Sequence, residues 1–504
     1  MTGSLSTTAD KLADLQERLT DLAGSESSSA ARSVIERLFD HGTFVELDTM
    51  SGRPGQVLTG HGTVDGRAVC AYGLTPADGA GPGRVDCDKV VRLIELALTT
   101  GRPVIGIIAT AGGPPDDGMA GVGALGNILQ ATIRASGVVP QISVVLGAIC
   151  GDLGFPSALA DVVVMVRSSS LLLSEPATIT VVTGEDAPLD DIGGADIHLR
   201  RSGLVHRVAD EPSDAADFVR ELLAHLPTNN QAIAPRWADE PAPDENDPTE
   251  EDLELDSIIP DSPDLPYDVR EVVWRLLDGG AFLELQADRA ANVVTGFGHI
   301  DGHSVGVVAN QPHHLAGYLD IAASDKAARF VRTCDTFNLP VVTLVDVPGF
   351  LPSADQESDG LIRCTAKLVH AYGAASVPKI TVVLRKAYGA AYLAMGSKQL
   401  GGDTNLAWPT ARIAPAPASA TVQRVFATQL SRAAEQGDDV ESLRWSLQDD
   451  YLREHVKPYE AAGLGHLDRV VPPSQTRAAI AAALRLLRTK MITLPARKHG
   501  NIQL

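Results

Sequence analysis

The chain repeats itself, and that repeat limits what it can fold into more than any other feature. RLFDHGTFVEL (37–47) returns as RLLDGGAFLEL (275–285), an offset of 238 residues. VLTGHGTVDGRAV (57–69) returns as VVTGFGHIDGHSV (293–305) at 236, and Asp88-Lys89 as Asp325-Lys326 at 237. PQISVVLGAICG (140–151) returns as PKITVVLRKAYG (378–389) at 238. Four matches in one order, at almost constant spacing, mean a duplicated domain. The chain therefore divides into 1–235, a connecting segment 236–264, and 265–504.

Each copy reads the same way. A helix leads into a hairpin whose Asp-Gly turn (Asp65-Gly66, Asp301-Gly302) joins two β-rich runs. A helical segment follows, KVVRLIELALTTG (89–101) or KAARFVRTCDTFN (326–338), with apolar residues three or four apart. Then come a short apolar strand, PVIGIIA (103–109) or PVVTLVD (340–346), a further helix, and a second strand, ISVVLG (142–147) or ITVVLR (380–385). Strands of this kind alternating with helices imply a parallel sheet covered on both faces. The fold class is α/β, twice over.

Composition narrows the function. With 42 basic and 64 acidic residues the net charge is −22, the wrong sign for gripping nucleic-acid phosphates. Twelve Asp or Glu and no Lys or Arg lie between Asp239 and Asp264, laced with prolines, which predicts a solvated linker. No apolar run approaches the length of a membrane-spanning helix, and the N-terminus lacks a secretory pattern. Five scattered cysteines without a CxxC pair fit a reducing cytoplasm and speak against a disulfide framework or zinc ribbon.

Ligands of such sheets bind beyond the carboxyl ends of the strands. Four loops qualify: TAGGPPDDG (110–118) and CGDLG (150–154) in the first copy, VPGFLP (347–352) and YGAAY (388–392) in the second. Glycine-rich turns let a ligand approach the backbone, while the next helix aims free N–H groups outward. Two such groups make an oxyanion hole able to stabilise a thioester enolate. Other signals carry less. GxGxxG at 121–126 starts too far after its strand for a dinucleotide site and predicts helix packing. His299, His303, His313 and His314 lack a completing carboxylate or thiolate for a metal. Asp116-Asp117 reads as wet loop, and Asp355-Gln356-Glu357 as a cap for the next helix.

Three stretches carry a family likeness: VDVPGFLPSADQESDGLIRCTAKLVHAYGAASVPKITVV (345–383), RKAYGAAYLAMGSKQLGGDTNLAWPTARIA (385–414) and KHGNIQL (498–504). They resemble the carboxyltransferase β subunit of biotin-dependent acyl-CoA carboxylases, and the likeness runs, less tightly, through the first half. The resemblance implies two tandem crotonase-like domains, the first binding acyl-CoA and the second carboxybiotin, in a hexamer whose sites lie between chains. It implies main-chain amides as the catalytic groups: Gly389, Ala390 and Ala391 on the biotin side, Gly151, Asp152 and Leu153 on the acyl side. It implies substrate contacts at Gly112, Gly113, Gly349, Phe350 and Leu393, the last at a position tied to acyl-chain choice. Neither a Met-Lys-Met biotin-attachment site nor a P-loop is present, so biotin and its ATP-dependent carboxylation belong to a separate carrier and carboxylase subunit. The resemblance implies no metal.

The chain also departs from the family. Gly389-Ala390-Ala391 replaces two glycines and an alanine, a one-methyl change. Gly151-Asp152-Leu153 is more serious: a carboxylate about 4 Å from a developing oxyanion costs roughly 4 kcal/mol at an effective dielectric near 20. TPADGAGPGRVD (75–86), Gly112-Gly113-Pro114-Pro115 and Pro415-Ala416-Pro417-Ala418 replace glycine-rich or arginine-bearing family segments. Three readings follow: an active carboxyltransferase with an unusual acceptor, a weakened structural subunit completing sites with another β chain, or a decarboxylase of a malonyl-type thioester.

Overall fold

The computed structural model describes residues 7–26, 29–51, 56–75, 81–109, 118–237, 243–262, 265–493, 495–496 and 498–502. The chain forms two compact units, Met1–Ala232 and Ile233–Leu504. The strands of the first are β1 (Val45–Leu47), β2 (Val57–Val64), β3 (Arg67–Leu74), β4 (Val104–Ile108), β5 (Gln141–Val145), β6 (Ala148–Cys150), β7 (Val162–Val166), β8 (Ser170–Leu172) and β9 (Arg207–Ala209). Those of the second are β10 (Phe282–Leu285), β11 (Val293–Ile300), β12 (His303–Asn310), β13 (Val341–Val347), β14 (Lys379–Tyr388), β15 (Thr404–Ala407), β16 (Arg412–Ala414) and β17 (Arg469–Val470).

The duplication is explicit in the topology. The main sheets run β1-β2-β3-β4-β5-β7-β9 and β10-β11-β12-β13-β14-β15-β17. In each, three antiparallel strands open the sheet and the rest are parallel. Helices Arg84–Thr100 and Ile321–Thr336 occupy the places expected from apolar spacing, starting a turn earlier than the sequence suggests. Their apolar faces, with Leu93 and Ile94 in the first unit and Phe330 and Val331 in the second, are buried.

Two small devices recur in both copies. The Asp-Gly turns are left-handed at both central residues, with φ 49° and 74° at Asp65-Gly66 and 54° and 70° at Asp301-Gly302. The aspartate of each RLxD motif receives the amides of its turn. Asp40 accepts from Asp65 and Gly66 at 3.1 and 2.9 Å, and Asp278 accepts from Asp301 and Gly302 at 3.2 and 2.7 Å. The Gly66 amide, with the Thr63 hydroxyl, holds the Asp40 carboxyl well below the usual carboxylate range. The repeated lysine is the second device. Lys89 donates to the Val57 carbonyl at 2.8 Å, and buried Lys326 donates to those of Gln286, Arg289 and Val293 at 2.7–2.9 Å. Three acceptors match the three N–H groups of an ammonium.

The acidic segment is not the solvated spacer expected over 236–264. Residues from Ile233 onward pack with the second unit. Arg236 bridges to His303, and the Trp237 amide donates to Gly302 at 2.9 Å. Thr249 and Asp252 cap the helix Glu250–Glu254, Leu255 is fully buried, and Glu245 takes a two-pronged contact from Arg469 at 2.8 Å. Among the described acids, Glu245 and Glu254 meet second-unit arginines and Asp256 accepts the Ser474 amide, pairings that a charge count does not reveal. Residues 238–242 and 263–264 of the segment lie outside the described residues.

Asp278 is 1% exposed and also receives Arg477 at 2.8 Å. Asp278→Asn strips the partly buried Arg477 of its counter-charge at a fully buried site and is expected to cost about 3 kcal/mol. Calorimetric unfolding of the full chain should show the second unit melting earlier, with a smaller effect from Asp40→Asn. An equal effect from both would contradict the burial argument.

Candidate active site

The second unit builds its turn from a long strand. β14 is buried along most of its length, and β-branched or aliphatic residues fill both faces. At Gly389 the backbone turns left-handed, φ 55°, and the helix Gly389–Ala394 begins at once. Glycine is required there twice over. Left-handed backbone disfavours other residues, and a Cβ would stand 2.8 Å from the Pro415 carbonyl oxygen. That carbonyl arrives because β16 pairs with the far end of β14, Tyr388 opposite Ala414.

The amides of Ala390 and Ala391 belong to the first turn of this helix, which supplies them no acceptor. Among the described residues no acceptor outside the helix takes either one. Ala390 is exposed and Ala391 buried, so one methyl faces outward and the other packs. Leu393, on the same helix, is 42% exposed. β13 and β14 are parallel neighbours with Val347 opposite Ala387, so Gly349 and Gly389 leave the sheet at matching depth. The 347–352 loop is pinned from outside: Leu319 donates to Gly349 at 3.0 Å and accepts from Leu351 at 2.8 Å, bracketing Phe350. The structure thus brings Gly389, Ala390, Ala391, Gly349, Phe350 and Leu393 to one end of the second sheet.

The first unit has the same turn in altered form. β6 ends at Cys150, Gly151 takes φ 79°, and a 3-10 turn runs Gly151–Gly154. Leu153 is buried, as Ala391 is, and Asp152 is exposed, as Ala390 is. That exposure makes Asp152 a surface charge, the setting in which an effective dielectric near 20 applies, so the repulsion expected from the sequence stands at roughly 4 kcal/mol for a separation of about 4 Å. Burial, with Glu175 adding a like charge, pushes the neighbouring Cys150 thiol up, away from thiolate character. Gly112 and Gly113, with Asp116-Asp117, lie outside the described residues, as does the stretch 76–80.

Other sequence signals resolve differently from expectation. The glycines at 121–126 fall inside the helix Met119–Ala135, where Gly121 is buried but Gly123 and Gly126 face open space. Helix packing therefore accounts for the first of the three alone. His299 stacks on Trp237 with centroids 4.0 Å apart, and burial pushes it down to about 4. Gln356 caps, but not the next helix: its carbonyl accepts the Ile321 amide at 2.9 Å, at the start of Ile321–Thr336. Sequence reasoning missed Asp346 and Arg385, a fully buried ion pair beneath the second turn. Their signal was present: two charges inside otherwise apolar strands.

Two crotonase-like units, each carrying a left-handed glycine and an amide-bearing turn at a strand end, have a geometry suited to an oxygen that carries negative charge. Residues 25–502 match the carboxyl transferase domain, and the chain belongs to that family. It is 49% identical, across 99% of its length and 96% of the relative's, to the biotin-dependent acetyl-/propionyl-coenzyme A carboxylase beta5 subunit of Mycobacterium tuberculosis. It is 47% identical, over the same shares, to the propionyl-CoA carboxylase beta chain of Saccharopolyspora erythraea. Among solved structures it is similar to the transcarboxylase 12S hexamer core with methylmalonyl-coenzyme A bound, with TM-score 0.92, 37% identity and 99% of both chains covered.

The two glycines predict unequal tolerance. Gly151→Ala carries only the left-handed penalty of about 1 kcal/mol, since its Cβ meets nothing within 4 Å. Gly389→Ala must also displace the Pro415 carbonyl and is expected to lower the melting temperature further. Thermal unfolding of the two variants checks the order; the reverse order would contradict the geometry.

Proposed function

We propose that this chain is the carboxyltransferase component of a biotin-dependent acyl-CoA carboxylase, with residues 1–235 on the acyl-CoA side and 265–504 on the biotin side. The observation that carries it is the pair of amides at Ala390 and Ala391, fronted by an exposed methyl and backed by the Pro415 carbonyl. Two adjacent N–H donors suit a ureido or thioester oxygen, and each such donor contributes about 2.7–4 kcal/mol. Carboxybiotin, delivered on a separate carrier protein, supplies the carboxyl group as substrate.

The chain's own contribution is electrostatic. The amides of Ala390 and Ala391 hold charge on the ureido oxygen as the carboxyl group leaves. Those of Asp152 and Leu153 hold the thioester oxygen as the α-proton passes to the ureido anion left by loss of CO2, and the α-carbon then attacks that CO2. Leu393 presents an apolar, half-exposed surface, which favours an acceptor with an alkyl chain over a charged one. The relatives' names point to acetyl- and propionyl-CoA as first acceptors to try, and the hexameric transcarboxylase core supports the same assembly here.

Asp152 favours a second reading, a weakened subunit that completes sites with a more typical β chain. Purified chain mixed with carboxylated carrier and a panel of acyl-CoAs separates the readings. Turnover by the chain alone is expected. Turnover only with a partner β chain supports the second reading, and carrier-independent CO2 release supports a decarboxylase. Ala390→Pro deletes one donor where a helix tolerates proline, and is expected to lower kcat by about 10²–10³-fold. A rate like wild type would remove that amide from the mechanism. Asp152→Gly should raise transfer at least about tenfold, within the roughly 4 kcal/mol of repulsion at stake near a protein surface; an unchanged rate would mean the carboxylate does not face the oxyanion.

A further inference from the structure

We propose that Asp346 and Arg385 form a buried charged strut that sets the position of the Gly389 turn. They are a positioning pair for carboxyl transfer, acting through the backbone and touching no substrate. The inference rests on residues 389–391 being the biotin-side amides.

The strut sits at an irregularity in the sheet. Val345 pairs with Val383 and Val347 pairs with Ala387, so Asp346 alone on β13 faces Leu384, Arg385 and Lys386 on β14. A bulge of this kind leaves amides of the longer strand without ladder partners. The Asp346 carboxylate takes their place: one oxygen accepts the Lys386 amide at 3.0 Å, the other accepts Arg385 Nε at 3.0 Å. Lys386 is three residues before Gly389. A shift of the carboxylate therefore moves the last rungs of β14 and the turn with them.

Both ends of the strut are anchored. The Asp346 amide donates to Asn310 Oδ1 at 3.3 Å, and Gly317 approaches the Asp346 carbonyl so closely that a Cβ there would lie 2.5 Å from it. Arg385 Nη1 donates to the Leu265 carbonyl at 2.9 Å, and its guanidinium lies 5.0 Å from the centre of the Tyr267 ring. Asp346 is 0% and Arg385 4% exposed. Charges buried this deeply are costly, and an apolar pair of similar volume would stabilise the fold as well or better. Their presence is better explained by geometry than by stability.

The other copy of the fold supplies the comparison. By the repeat offsets, Ala109 and Gly147 stand where Asp346 and Arg385 do. There the strand is interrupted: β5 ends at Val145 and β6 resumes at Ala148. The second unit keeps one continuous strand, Lys379–Tyr388, running straight into its turn. The strut is what lets that strand bulge without breaking.

The test uses the full chain. Asp346→Asn combined with Arg385→Gln removes both charges and leaves no lone buried ion, and Arg385→Lys retains the charge. Hydrogen exchange is read on the peptide covering 384–391, with 57–74 of the first unit as internal control. Turnover with carboxylated carrier gives kcat and the KM for acyl-CoA. In the double variant, exchange at 384–391 should be at least about tenfold faster while 57–74 matches wild type. Its kcat should fall at least about tenfold with the acyl-CoA KM unchanged, because a displaced turn misplaces the donors. Arg385→Lys should recover part of that loss. Unchanged exchange overturns the strut, and unchanged kcat overturns its positioning role. A wild-type chain that transfers nothing refutes the carboxyltransferase reading instead, and exchange alone then decides the strut.

Discussion

A strand that passes directly into a helix leaves amides that neither element can satisfy, and both halves of this molecule are organised around that fact. The passage requires one residue to reverse hand, which is why Gly389 and Gly151 are left-handed and why glycine stands at both. Neighbouring elements hold the turn in place. β16 lies against the end of β14, and the Pro415 carbonyl crowds Gly389 from behind. The 347–352 loop is held from outside by Leu319. A flexible loop could present the same amides, but it would spend conformational entropy on ordering them at every encounter.

Duplication shows which parts of the fold are structural and which have been free to change. The hairpin aspartates Asp40 and Asp278 and the lysines Lys89 and Lys326 do the same work in both units. They satisfy backbone groups, and loss of that service would be felt by the whole sheet. The turns have diverged. One presents Ala390 in front of a continuous strand; the other presents an exposed carboxylate, Asp152, after an interrupted one. Divergence at the turns with constancy in the frame is the pattern expected when one scaffold handles two different ligands.

Much of the architecture was legible in the residues. Asp65-Gly66 and Asp301-Gly302 announced left-handed hairpin turns, and the apolar runs at 340–346 and 380–385 announced neighbouring strands. The strand-to-helix turn at 388–392 could be located from its glycine and the change of pattern around it. Long-range pairing was not legible. Nothing local to Glu245 says that Arg469 will meet it, so an anchored segment read as a solvated linker. Asp346 and Arg385 are 39 residues apart, and only the sheet register brings them together. Exposure was hidden for the same reason: nothing local says that Asp152 faces solvent while Leu153 is buried.

Carboxyl transfer by this chain depends on two amides finding an oxygen. A crystal structure of the chain soaked with free biotin puts that to the test directly. The expected result is the ureido oxygen about 3 Å from the backbone nitrogens of Ala390 and Ala391. Biotin bound elsewhere, or at this end of the sheet with those two N–H groups directed away from it, would contradict the account.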